Sequence, residues 1–83
     1  MKVKKLLQRV EKFLDAKERA RRKQMSSMQE ALPALKQKER QLKAKAKAES
    51  SADARASMEK KRLIVHQQRK KGLVALKALH KKA

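Results

Sequence analysis

The sequence predicts an all-α protein built on a long antiparallel helical hairpin whose arms pack in a coiled-coil-like manner. Three observations carry this. Apolar side chains recur with helical period from Val3 to Ala46. A single Gly and a single Pro interrupt 83 residues, and Cys, Trp and Tyr are absent. A short polar break, Glu49-Ser50-Ser51-Ala52-Asp53, divides the chain into two helical lengths. Together they exclude a disulfide scaffold, a thiolate zinc site and a loop-rich β fold. They leave one small domain, 1–83.

The first arm is expected over about residues 2–48. At about 100° per residue, Val3, Leu6, Leu7, Val10, Phe13, Leu14, Met25, Met28, Ala31, Leu32, Leu35, Leu42 and Ala46 share one sector of a helical wheel. From Met25 the steps alternate between three and four, and Glu39 is the one charged side chain in the row. Asp15–Arg19, Glu18–Arg22 and Glu39–Lys43 are i,i+4 pairs of the favourable order, worth roughly a few tenths of a kcal/mol each.

A kink or break in this arm is expected between 24 and 33. Pro33 removes a backbone donor and crowds the carbonyl of Gln29, though it lies on the polar side. Lys17, Arg21 and Gln24 occupy stripe positions, and the apolar row resumes at Met25. Ser26 with Gln29, or Ser27 with Glu30, fits a capping box. A break near Ser26 would give a three-helix bundle. With no Gly to mark a turn there, a continuous helix is the expectation.

The turn falls at about 49–52, capped by Ser50 or Ser51, and the second arm at about 52–80. Its main face carries Ala54, Met58, Val65, Gly72, Leu73, Leu76 and Leu79. Ala56, Leu63 and Val74 fall on the opposite side and Ile64 on a flank, as in a helix with two neighbours or an exposed ligand surface. An antiparallel hairpin turning near residue 50 pairs positions whose numbers sum to about 101. That sets Leu35 by Val65 or His66 and Gly72 by Met28, with Gly72 serving close approach. The second arm then ends near Arg21, leaving residues 1–20 as an overhang of roughly 30 Å. Its stripe, Val3, Leu7, Val10 and Leu14, is the expected self-association surface, and the chain an expected homo-oligomer.

Lys and Arg number 26 against 8 Asp and Glu, a net charge of +18. Residues 1–24 hold ten basic and three acidic side chains, and residues 60–83 hold nine basic and no acidic ones. Such an imbalance exceeds what solubility needs and repels itself in the compact state, which points to a polyanionic partner. Nucleic acid is the expected one, with structured RNA and duplex DNA both open. One Phe is too few for base stacking, so phosphate contact through helical faces is the expected mode. The candidate contacts are Arg19, Arg22 and Lys23 in the first arm and Lys60, Lys61, Arg62, Arg69, Lys70, Lys71 and Lys77 in the second.

No nucleophile–base pairing, phosphate loop or metal motif occurs, so neither catalysis, nor a cofactor, nor a small-molecule substrate is expected. His66 and His80 lie about 20 Å apart along one helix and cannot share a metal there. Glu11 with Asp15, and Glu49 with Asp53, read as solvated carboxylates, and the internal methionines as core fillers. The competing function is a coiled-coil adaptor docking on an acidic protein. No run of about 20 apolar residues is present, and the basic segment 2–14 makes membrane-surface binding a lesser rival. The expected location is cytoplasmic, with association to nucleoid or ribosome open.

Overall fold

In a computed structural model describing residues 3–82, the chain forms α1 (Val3–Asp15), α2 (Glu18–Lys23), α3 (Met25–Ala48) and α4 (Ala52–Lys82). Residues 1, 2 and 83 lie outside the described residues, and with them the expected helix start at about residue 2. No strand occurs among the described residues. The fold is the all-α antiparallel hairpin of α3 and α4, with α1 laid against both arms. The molecule measures 48 × 18 × 18 Å.

The break in the first arm comes at Ala16–Lys17, earlier than the expected interval of 24 to 33. Lys17 takes an extended conformation (φ −70°, ψ 159°), which ends one helix and starts the next. Arg21 then secures the reversal. Its Nε donates to the Phe13 carbonyl at 3.1 Å and its Nη2 to the Leu14 carbonyl at 2.6 Å. Those carbonyls belong to the last turn of α1, where intrahelical donors run out. Arg21 interrupts the apolar stripe because it caps the preceding helix.

Gln24 is a milder irregularity. Its N–H still bonds to Ala20 and its carbonyl still accepts from Met28, so α2 leads almost directly into α3. Ser26 and Ser27 lie inside α3, as expected of a continuous helix, and neither the Ser26–Gln29 nor the Ser27–Glu30 box caps it. Pro33 also lies within α3, exposed, and the helix runs through it.

Because the chain reverses at 16–17, the expected overhang folds back. Val10 is fully buried, and Val3, Leu7 and Leu14 pack half-buried against the core. Of the stripe expected to await a second copy, the chain's own α3 and α4 cover Val10 wholly and Val3, Leu7 and Leu14 in part. The energetic reason is simple. Burying Leu6, Val10 and Phe13 completely contributes about 1.5–3 kcal/mol for each side chain. Breaking a helix forfeits a few hydrogen bonds of about 1 kcal/mol net, and Arg21 restores two.

The core joins these three with Met28, Ala31, Leu32, Leu35, Val65, Leu76 and Leu79. Gly72 makes the close approach expected of it, but to other residues. A Cβ there would lie 3.1 Å from Leu32 Cδ2 and 3.2 Å from Val10 Cγ1, so α1 and α3 both press on this point instead of Met28. The pair Leu32–Gly72 sums to 104, where 101 was expected. Helical side chains lean toward their own N-terminus, so across an antiparallel seam the numbers in contact sum higher than the backbone register.

At the hairpin turn, Ser51 Oγ accepts the Ala54 N–H at 3.4 Å, and Glu49 Oε1 accepts the Ser51 N–H at 3.1 Å. Arg55 Nη2 reaches back to the Glu49 carbonyl at 2.9 Å. The expected cap at Ser51 forms.

Candidate nucleic-acid interface

Helical spacing builds a concentrated basic surface. Lys36, Arg40 and Lys43 stand at i, i+4 and i+7 on α3, and Arg62, His66 and Arg69 repeat that spacing on α4. Residues so spaced share a helix face, and each row extends about 10 Å. The antiparallel seam sets the two rows across a shallow groove with Glu39 in its floor.

Glu39 is 9 % exposed, and both of its carboxylate oxygens are engaged. Oε1 accepts from His66 Nδ1 at 2.6 Å, and Oε2 accepts from Arg69 Nε. Burial alone would raise the carboxyl pKa, but the hydrogen bonds and charges of Arg69 and His66 outweigh it and hold it below its ordinary value. Glu39 therefore stays ionised and fixes the Arg69 guanidinium and the His66 ring in position. Arg62 is held likewise, donating from Nε and Nη2 to Glu59 Oε2 at 3.0 and 2.9 Å. Lys36, Arg40 and Lys43 are exposed and form no ion pair with described residues. Five Lys and Arg side chains thus line one groove with a single carboxylate, already spent on α4. An extended anion would meet donors on both walls.

The expected contact residues do not share one face. Arg62 and Arg69 line this groove, whereas Lys61, Lys70 and Lys71 line hollows on the opposite side of α4. Lys60 and Lys77 are exposed. Arg19, Arg22 and Lys23 are exposed on α2, with Arg22 bonded to Glu18 at 3.3 Å. The two basic chain ends are also not brought together: the start of α1 lies beside Lys61 and Ile64, well short of the α4 C-terminus.

Lys36, Arg40, Lys43 and His66 were not among the contacts expected from the sequence, and the acidic partner of Arg69 lies on the other arm, outside its own helix. The signal was available. Glu39 was the one charged side chain in an apolar row, and the hairpin places it across from the turn of α4 that holds His66.

No cluster of three His, Cys, Asp or Glu side chains able to hold a metal occurs among the described residues. No described helix is long and apolar enough to cross a membrane. No family model, curated protein or solved structure matches this chain.

Proposed function

We propose that this protein binds nucleic acid without catalysis, gripping the phosphate backbone along the α3–α4 groove. The observation that carries the reading is the pair of facing rows, Lys36-Arg40-Lys43 and Arg62-His66-Arg69, which bring five Lys and Arg side chains to one groove whose single lining carboxylate, Glu39, is already engaged in the floor. Phosphate contact of this kind reads charge and shape, and carries little base specificity. Phe13, the only aromatic residue apart from the histidines, is fully buried, which leaves no Phe, Tyr or Trp for base stacking.

The test is fluorescence anisotropy of a labelled RNA hairpin and a labelled DNA duplex across a range of salt concentrations. Phosphate contact makes the logarithm of affinity fall linearly with log salt, by about 0.9 for each duplex phosphate neutralised. The ratio of the two affinities identifies the preferred nucleic acid. Absence of binding to both probes at low salt would eliminate the proposal.

A further inference from the structure

Opposite the basic groove, α4 meets α1 along a second seam of different chemistry. Two hollows open on it. One is lined by Val3, Lys4, Leu7, Lys61 and Ile64, and the other by Leu14, Lys70, Lys71, Val74, Ala75 and Ala78. Both are lined only by apolar side chains and lysines. Ile64 is 48 % exposed and Val74 68 %, high values for branched apolar side chains.

The spacing is that of a helix-packing surface. Val3, Leu7 and Leu14 step by four and seven along α1, and Ile64, Lys71, Ala75 and Ala78 step by seven, four and three along α4. Both are heptad intervals, which present holes to the knobs of another helix. From Lys61 to Ala78 the seam extends roughly 25 Å, the length of about 17 helical residues. A helix laid there would complete a four-helix bundle.

We propose that the α1–α4 seam is a docking groove for an amphipathic helix of an acidic protein. The apolar stripe of that helix fills the hollows at Leu7–Ile64 and Leu14–Val74. Carboxylates flanking the stripe meet Lys4 and Lys61 at one end and Lys70 and Lys71 at the other. Charge selects this occupant over a second copy, which would set the same lysines against each other. The half-buried Leu7 and Leu14 favour it over a lipid surface, because a bilayer takes up side chains that protrude, as Val74 does, and leaves recessed ones unfilled.

The probe is a labelled helical peptide of about 17 residues with Leu at the a and d positions and Glu flanking them. Its control is a scrambled peptide of identical composition. We expect the ordered peptide to bind and the scrambled one to bind far more weakly. Val74→Asp, at an exposed position compatible with the fold, should weaken binding about tenfold or more, as loss of a central anchor does. Lys71→Glu should also weaken it, while Lys36→Gln, on the far side of α4, should change it by less than about twofold. Equal binding of both peptides, or no effect of Val74→Asp and Lys71→Glu, overturns the proposal. So does Val74-dependent sedimentation with phosphatidylglycerol vesicles without peptide binding, which assigns the seam to membranes. Concentration-dependent dimerisation abolished by Val74→Asp assigns it to a second copy.

Discussion

Arg21 covers Phe13 twice over: its guanidinium carbon lies 5.7 Å from the centroid of the Phe13 ring, and its Nε donates to the Phe13 carbonyl. One side chain thus closes the C-terminal end of α1 and lies against the largest buried side chain of the core. The cation also sits where a helix macrodipole favours positive charge.

Replacing Arg21 by Met keeps an apolar stem but removes both hydrogen bonds and the charge. We expect a loss of about 1–2 kcal/mol in urea unfolding, the sum of two modest charge-assisted bonds and a half-exposed cation–π contact. Arg21→Lys retains the charge without the fork and should fall between the two. An unchanged midpoint in Arg21→Met would show that α1 folds back without this clasp.

Gly72 tests how tightly the three helices meet. Ala at this position would raise helix propensity by about 1 kcal/mol. Its Cβ would also press Leu32 and Val10 at 3.1 and 3.2 Å, and both neighbours must move by a few tenths of an ångström. Val10 is fully buried and β-branched, so it yields poorly. The opposing effects leave Gly72→Ala within about 1 kcal/mol of the parent. Gly72→Val has no such compensation and should destabilise by about 2 kcal/mol or more. Equal stability of Gly72→Val and the parent in urea would mean that α1 does not press on this point.

Glu39 should make stability depend on acid. Its folded pKa lies below its unfolded value, so its contribution is fully present above the ordinary carboxyl pKa of 4.5 and is lost as pH falls through the depressed folded value. We expect Glu39→Gln to be less stable than the parent at neutral pH by about 2 kcal/mol, because Arg69 is then left at the seam without its carboxylate. The difference between the two proteins should shrink as the pH is lowered from about 5 toward 3. Urea midpoints of both across that interval give the answer, and a constant difference would contradict the pairing.

The two apolar stripes, the polar turn and the Ser51 cap were legible because each is a local pattern. Apolar period, capping residues and the absence of Gly act within a few turns of one helix. The fold-back of α1 was not legible from a turn signal, since Ala16 and Lys17 carry none. What marked it was the run Lys17, Arg21, Gln24 on the apolar face, whose meaning depends on the Phe13 and Leu14 carbonyls at the end of α1 turning to Arg21 as a donor. The basic groove was half legible. Arg69 stood out because residues 60–83 hold no acidic side chain, whereas Arg62 has Glu59 three residues before it in its own helix. Lys36, Arg40 and Lys43 gain significance only once the antiparallel seam sets them opposite α4.

That distinction between local charge and assembled charge can be measured with two triple variants of equal formal charge. Lys36→Gln with Arg40→Gln and Lys43→Gln empties one wall of the groove. Arg19→Gln with Arg22→Gln and Lys23→Gln empties α2, where Arg22 is already engaged by Glu18. Each removes three charges, taking the chain from +18 to +15 (18 − 3), so long-range attraction falls equally in both. Arg22 and Arg40 are separated by roughly 27 Å of helix, more than two Debye lengths at physiological salt. We expect the groove variant to lower the salt slope for duplex binding by about 2–3, and the α2 variant by less than about 1. Equal losses would mean that the nucleic acid responds to the total charge of the molecule and has no preferred seat in the groove.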